Sequence, residues 1–261
     1  MSETHFLAAA LSTAAEAARA AGRVLESWAE RFTVSEKSPA NLVTEADLAA
    51  QETIFDLIHA RYPDHGFLGE EGLPRVAEAS RFRWVVDPLD GTSNYVHRFP
   101  YYAVSIALEH DGELAVGVIY DPNRDEMFCA VRGGGATLND RAIRPSRVSA
   151  LRQAMLVASL PVGGGADDPA VSRFLKVIPH AQTVQRTGSA ALNLAYVASG
   201  RIDGFWSSSL KPWDVAAGAL IVDEAGGRVS KMDGQPLCIE IPDLLSTNGG
   251  EIHEELTRLL G

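Results

Sequence analysis

The order of hydrophobic and polar residues predicts two helices in the first quarter of the chain. From Phe6 to Trp28, Ala, Leu, Glu and Arg predominate, and this composition favours one long amphipathic helix. A second helix is predicted from Thr44 to about Arg61, where apolar residues recur at the helical period. Thr44 and Asp47 have the spacing of a capping box, which supports a helix start at this point.

Extended runs follow these helices. A short run that begins at Gly66 ends at Glu70, and the polar stretch from Gly72 to Arg81 is predicted to be a mobile loop. The apolar and aromatic run from Phe82 to Val86 predicts a strand that ends at Asp87, where a turn should begin.

The remainder of the chain predicts a mixed α and β fold. Three runs joined by short turns predict an antiparallel meander over residues 101–108, 114–120 and 125–131. Strands and helices then alternate, with strands predicted over 155–159 and 203–206 and helices over 167–178, 190–199 and 213–225. We therefore expect an N-terminal α+β part in residues 1–147 and a C-terminal α/β part in residues 148–261, packed as one structural unit.

The charge of the chain limits the ligands that it can hold. The 261 residues include 34 acidic and 23 basic side chains, with a formal net charge of -11. Nucleic acid is therefore not expected as a partner, and an anionic substrate needs positive charge supplied locally by metal ions or helix N-termini. Cys129 and Cys238 fit no disulfide or zinc pattern, and no long apolar run is present, so we expect a cytoplasmic protein without membrane attachment.

The residues from Asp87 to Thr92 carry the clearest chemical signal. Two carboxylates, Asp87 and Asp90, stand three positions apart at the end of an apolar strand. Together with the Leu89 carbonyl they offer the oxygen ligands that magnesium prefers. Gly91 allows close approach of the backbone, and a short helix beginning near Thr92 would direct free amides at a phosphate. The same residues also suit two ordinary surface turns, Asp-Pro and Asp-Gly.

Four more acidic residues lie at predicted element boundaries beside apolar runs: Asp47, Glu70, Glu71 and Asp214. Asp47 also suits a helix cap, and Asp214 suits a first-turn carboxylate that interacts with the helix dipole. Glu70 and Glu71 also suit solvated loop charges. Clustered carboxylates repel one another, so bringing them together is favoured only where cations neutralise them.

Two long motifs resemble those of the inositol monophosphatase family, within the magnesium-dependent, lithium-sensitive phosphatase superfamily. The first runs from Trp84 to Pro100, and the second runs from Trp213 to Gly227. Shorter blocks occur in the family's order and spacing: Lys37-Ser38-Pro39, Leu42-Val43-Thr44, Asp47, Gly69-Glu70-Glu71 and Gly188-Ser189-Ala190-Ala191. The resemblance covers essentially the whole chain.

The resemblance implies a five-layered α/β/α/β/α fold, usually a homodimer, with two or three magnesium ions in each site. The implied metal ligands are Glu70, Asp87, the Leu89 carbonyl, Asp90 and Asp214. The implied catalytic residues are Asp47, Glu70 and Thr92, of which Asp47 and Thr92 orient the attacking water. The implied phosphate-binding groups are the amides of Gly91 and Thr92. The implied contacts with the alcohol half of the substrate are Asp90, Gly188, Ser189, Ala190 and Ser207.

The reaction implied by the resemblance is hydrolysis of inositol 1-phosphate, or of a similar small polyol or sugar phosphate, by direct attack of metal-activated water. Ser207 departs from the family, in which a glutamate that binds ring hydroxyls commonly stands at this position. The substrate therefore stays open between inositol 1-phosphate and the fructose 1,6-bisphosphate, phosphoadenosine phosphate or histidinol phosphate of related enzymes. A non-catalytic binding or regulatory protein on the same fold is the alternative from another functional class.

Overall fold

The computed structural model of the protein describes residues 3–38, 41–72 and 80–261. Its helices are α1 (Glu3–Trp28), α2 (Glu45–Arg61), α3 (Thr92–Val96), α4 (Pro169–Val177), α5 (Ala190–Ala198), α6 (Pro212–Ala225) and α7 (Gly250–Leu260). Its strands are β1 (Val34–Ser38), β2 (Asn41–Thr44), β3 (Gly66–Gly69), β4 (Phe82–Asp90), β5 (Ala103–His110), β6 (Glu113–Asp121), β7 (Glu126–Val131), β8 (Gly135–Leu138), β9 (Arg141–Ala142), β10 (Met155–Ala158), β11 (Thr183–Gln185), β12 (Gly204–Ser207), β13 (Arg228–Lys231) and β14 (Leu244–Thr247).

The larger sheet contains seven strands in the order β3-β4-β5-β6-β7-β8-β9. β3 runs parallel to β4, and every later neighbour is antiparallel, which confirms the predicted meander. α1 and α2 pack together on one face of this sheet. α1 buries alanines such as Ala10, Ala14 and Ala17, whose small side chains let the helix lie close to its neighbours.

The smaller sheet contains five strands in the order β11-β10-β12-β14-β13. α5 and α6 pack against each other in a core that also contains side chains from both sheets. α7 and Phe174 of α4 belong to a separate core on the other face of the smaller sheet. The layers therefore follow the order helix, sheet, helix, sheet, helix, as the family resemblance implies. The division of the chain near residue 147 stays a prediction.

Several predicted elements differ in detail from the structure. β4 does not end at Val86 but continues through Asp90, because its register shifts between Asp87 and Asp90 and pairing with β5 then resumes. The predicted helix at Thr92 is present, although it is only five residues long. Most of the predicted loop from Gly72 to Arg81 lies outside the described residues, as does Pro39 of the first short family block. None of the helices in the described ranges combines the length and apolar character that crossing a membrane requires.

Candidate active site

Asp87 and Asp90 lie at the end of β4, where a bulge interrupts the pairing with β5. Asp87 pairs with Ser105 and Asp90 pairs with Ala103, so β4 has one more residue than β5 between these pairs. In a regular strand, residues three positions apart point to opposite faces of the sheet, and one extra residue removes this opposition. Pro88 is tolerated in the bulge because it has no amide hydrogen to donate to the neighbouring strand. The bulge therefore allows both carboxylates to enter one cluster.

The third carboxylate of the cluster comes from α6, far along the chain. Asp214 lies in the first turn of this helix, and one oxygen atom each from Asp87, Asp90 and Asp214 lie within 4.8 Å of one another. Asp90 is also tied to the start of α5, because its Oδ2 accepts hydrogen bonds from Ser189 Oγ and, at 2.7 Å, from the Ala191 amide. The cluster thus joins β4 of the larger sheet to both helices that lie between the sheets.

The carboxylates of this cluster have raised pKa values because they are buried close together. Burial raises the pKa of Asp87 well above its ordinary value, and the negative charges of Glu70 and Asp90 raise it further. Burial raises the pKa of Asp90 to about 6 and, with the charge of Asp90, that of Asp214 to about 8. Ionised oxygens held this close are a suitable donor set for a hard divalent cation, which would remove their mutual repulsion.

Asp47 and Thr92 form a hydrogen-bonded pair beside the cluster. The amide and hydroxyl of Thr44 donate to Asp47 Oδ2 at 2.8 and 2.6 Å, which confirms the predicted capping box at the start of α2. Thr92 Oγ1 lies 3.1 Å from Asp47 Oδ1 and 3.2 Å from the Leu89 carbonyl oxygen. Asp47 is fully buried, and burial raises its pKa. The Thr92 hydroxyl can therefore donate its hydrogen to Asp47 or to the Leu89 carbonyl oxygen, and its lone pairs remain available to accept a hydrogen bond from water.

The turn that follows Asp90 is too crowded for a side chain. Gly91 has a φ of 102°, and a Cβ atom there would lie 3.1 Å from the Tyr101 carbonyl oxygen and 3.3 Å from that of Gly188. The Asn94 amide group donates to the carbonyl oxygens of Tyr101 and Thr187 at 2.7 and 2.8 Å. These contacts hold the loop before α5 against the turn. The predicted phosphate-binding turn and the predicted substrate loop are thus neighbours.

A cavity of about 480 Å³ opens onto the cluster. Its lining residues are Leu42, Glu70, Asp90, Gly91, Thr92, Ser93, Leu160, Pro161, Val162, Gly188, Ser209, Lys211, Trp213 and Asp214. Asp87, Leu89 and Asp47 lie behind this wall and contact residues that form it. Ser207 is fully buried and, in the described part of the cavity wall, Ser209 occupies the surface instead.

The family model described as "Inositol monophosphatase family" matches residues 7–261. The chain belongs to the inositol monophosphatase family. It is 44% identical over 230 residues to an "Inositol-1-monophosphatase" of Mesorhizobium japonicum, covering 87% of this chain and 86% of the relative. It is 41% identical over 246 residues to a "Nus factor SuhB" of Pseudomonas aeruginosa, covering 91% of each chain.

Solved structures of the family share the fold. The crystal structure of "extragenic suppressor protein suhB" from Bartonella henselae superposes with a TM-score of 0.91 at 40% identity, covering 97% of this chain and 98% of that one. Relatives of similar identity thus carry two kinds of name, one enzymatic and one not. Family membership supports a phosphatase, and the names leave the catalytic role of this member open.

Several residues that line the cavity of this family member were not predicted as site residues. They are Leu42, Ser93, Leu160, Pro161, Val162, Ser209, Lys211 and Trp213. Ser93 and Trp213 lie inside the two motifs, next to Thr92 and Asp214, and Lys211 lies two residues before the second motif, so closer inspection of the motifs and their flanks would have found them. Leu160 to Val162 follow β10 and carry no chemical signal of their own. Only the packing of the two sheets brings them to the cavity.

Proposed function

We propose that the protein is a magnesium-dependent phosphomonoesterase that hydrolyses inositol 1-phosphate or a similar small polyol phosphate. The observation that carries this proposal is the cluster of Asp87, Asp90 and Asp214 beside the pair of Asp47 and Thr92 in a member of a phosphatase family. A cluster of oxygen donors suits magnesium, and the neighbouring hydroxyl and carboxylate suit the handling of water.

The metal-binding residues would be Glu70, Asp87, Asp90 and Asp214 together with the Leu89 carbonyl. Glu70 lines the cavity, and its charge raises the pKa of Asp87, Asp90 and Asp214, so it lies in their electrostatic neighbourhood. Magnesium, when bound there, supplies positive charge that lowers the pKa of a water molecule and stabilises charge on the departing oxygen.

The residues of the chain then have separable tasks. Thr92 Oγ1 donates to Asp47 Oδ1, so its lone pairs accept a hydrogen bond from the attacking water and orient it. Asp47 holds the Thr92 hydroxyl in this orientation because its other oxygen is fixed by two hydrogen bonds from Thr44. The amides of Gly91 and Thr92 would hold the phosphate, where the absence of a Gly91 side chain lets it approach.

The remaining features of the assignment follow from the family resemblance. We infer that the protein works as a cytoplasmic homodimer and that lithium inhibits it. Fructose 1,6-bisphosphate, phosphoadenosine phosphate and histidinol phosphate remain alternative substrates within the superfamily. A non-catalytic binding or regulatory role is the second candidate, favoured by the name of the Pseudomonas relative as a Nus factor.

One experiment separates the two candidate functions. Phosphate release is measured over the named substrates, with magnesium and with a chelator, for the wild type and for Thr92→Val, which keeps the shape of the side chain and removes its hydroxyl. The proposal expects magnesium-dependent release that falls at least about 100-fold in Thr92→Val, the size typical of a lost general acid-base contribution. A folded wild type that releases no phosphate from any of them with magnesium would favour the binding role.

A further inference from the structure

Lys211 contributes a positive charge to a cavity whose other charged groups are acidic. In the described wall of the cavity it is the one basic residue, beside Glu70, Asp90 and Asp214. The residue is exposed, and in the described part of the chain its ammonium group has no hydrogen bond or ion pair. An exposed lysine of the cavity wall whose ammonium is unpaired can offer that ammonium to a ligand.

The backbone fixes where Lys211 enters the cavity. It is the residue before α6, and its amide donates to Asp214 Oδ2 at 2.7 Å. By the proposed function, on which this inference rests, the amides of Gly91 and Thr92 hold the phosphate, and Ser207 is the position that the family resemblance assigns to the alcohol half of the substrate. Lys211 lies four residues after Ser207 and lines the cavity with Ser209 and Trp213, so we place it beside the alcohol half.

The chemistry of this part of the wall differs from that expected for a neutral polyol. Ser207, the position at which the family commonly has a glutamate for ring hydroxyls, is fully buried. The nearby exposed groups are the Ser209 hydroxyl and the Lys211 ammonium. A hydroxyl and a cation complement an anion better than they complement a ring of uncharged hydroxyl groups.

We propose that Lys211 is a specificity-determining residue that favours phosphate esters whose alcohol half carries a second anionic group. The group can be a second phosphate or a carboxylate, since an ammonium interacts with either as a point charge. The reacting phosphate and the carboxylate cluster are the same for both kinds of substrate. Lys211 should therefore change the preference between substrates, and the contribution of the shared chemistry cancels in the ratio of their kcat/KM values.

The test compares substrates that differ only in the second anion. Fructose 1,6-bisphosphate is paired with fructose 1-phosphate, and 2-phosphoglycerate is paired with glycerol 2-phosphate, so that the two pairs distinguish a phosphate from a carboxylate. The kcat/KM ratio within each pair is measured at saturating magnesium for the wild type, Lys211→Gln and Lys211→Arg. Lys176→Gln, which removes an exposed lysine from α4, is the matched control.

We expect the ratio to fall about tenfold in Lys211→Gln for at least one pair, which corresponds to the loss of about 1.4 kcal/mol of charged hydrogen bonding. The ratio should stay at its wild-type value in Lys211→Arg and in Lys176→Gln. An unchanged ratio in Lys211→Gln for both pairs overturns the inference. If the ratio is unchanged because kcat/KM falls equally for both members of a pair, the ammonium acts on the reacting phosphate and not on the second anion.

A measurement of product binding tests the role of Lys211 even if the protein has no phosphatase activity. Fructose 6-phosphate, which remains after hydrolysis at C1, is titrated into the wild type and Lys211→Gln by calorimetry, and no turnover is required. If the wild type releases no phosphate from any substrate, the proposed function fails. An approximately tenfold weaker binding of fructose 6-phosphate to Lys211→Gln would still support the inference, and equal binding would still refute it.

Discussion

The backbone of α6 lies close to β6 at Gly117, and we predict that Gly117→Ala displaces this helix. A Cβ atom at Gly117 would lie 2.7 Å from the carbonyl oxygen of Ala217 and 3.3 Å from its Cα atom. Ordinary Cβ contacts begin at 3.4 Å, and both obstructing atoms belong to a rigid helical backbone. The helix must therefore move by about 0.7 Å, because a close-packed interior offers no space for the new methyl group.

The displacement should affect both stability and catalysis. Overpacking of this kind costs about 1 to 3 kcal/mol, which for a chain of this size lowers Tm by about 2 to 12 °C. Asp214 lies three residues before Ala217 on the same helix, so its carboxylate should move relative to Asp87 and Asp90. A displacement approaching 1 Å at a catalytic group costs up to about 100-fold in rate, and we expect a loss of at least about tenfold.

The assay compares Gly117→Ala with Gly165→Ala. No heavy atom lies within 4 Å of a Cβ built at Gly165, and its φ is not positive, so this control adds the same methyl group without a clash. Thermal unfolding is followed with and without magnesium, and phosphate release is measured under the same conditions. Gly165→Ala should stay within about 0.5 kcal/mol of the wild type. A Gly117→Ala protein with wild-type Tm and turnover would refute the idea that this backbone contact positions Asp214.

Three further predictions follow from individual residues. Asp90→Asn should lower turnover at least about 100-fold and reduce the rise in Tm on adding magnesium, because a charged metal ligand is lost. The asparagine Oδ1 can still accept the hydrogen bonds from Ser189 and Ala191, so the fold should persist. A folded variant with normal turnover would contradict this role of Asp90. Ser207→Glu should destabilise the protein by about 3 kcal/mol or more, since it places a carboxylate at a fully buried position. Chemical denaturation measures this change, and Ser208→Glu is the control at an exposed position. Equal denaturation midpoints for the two variants would show that the glutamate at position 207 reaches solvent. Burial lowers the pKa of His253 from 6.5 to about 4, so this neutral histidine contributes stability above pH 6.5 that is lost as pH falls towards 4. Between pH 7 and pH 5 the unfolding free energy should fall about 2 kcal/mol more in the wild type than in His253→Gln, and parallel pH profiles would contradict the assignment.

The sequence was sufficient to predict the helices whose ends and faces carry their own signals. α2 is predicted because Thr44 and Asp47 can satisfy each other locally, and the structure contains both hydrogen bonds of that capping box. α6 is predicted to end at Gly226, which caps the helix with a φ of 91°. These features depend on residues close together in the chain, so they do not require knowledge of the tertiary structure.

Several short elements that depend on distant partners were not predicted. β11, β13 and β14 have only three or four residues each, too few for an alternating pattern to stand out. α7 lies outside the predicted helices, yet Ile252, Leu256 and Leu260 repeat every four residues and are buried, which is a usable helical signal. The bulge in β4 could not be inferred from Pro88 alone, because a proline after a strand indicates a turn as readily as a bulge.

The same distinction applies to the candidate site. Asp87 and Asp90 attract notice within one motif, whereas nothing local indicates that Asp214 joins them. Family resemblance supplied that link, and Ser207 illustrates its limit, because alignment to a family position does not determine whether a side chain reaches the cavity. Burial of Ser207 depends on the pairing of β12 with β14, and this pairing involves residues almost forty positions away.

The approach of α6 to its neighbours helps to explain how a cluster of like charges is held together. Repulsion between Asp214 and the two β4 carboxylates favours their separation, as their raised pKa values indicate. The helix that carries Asp214 is constrained on two sides, by β6 at Gly117 and by α5 at Gly218, where a Cβ atom would lie 2.5 Å from Leu194 Cβ. Burial of apolar surface between the sheets opposes the repulsion, and this opposition depends on close contact. We therefore expect that two glycines without a functional group help to set the geometry of the proposed metal site, because larger residues at these positions would displace Asp214.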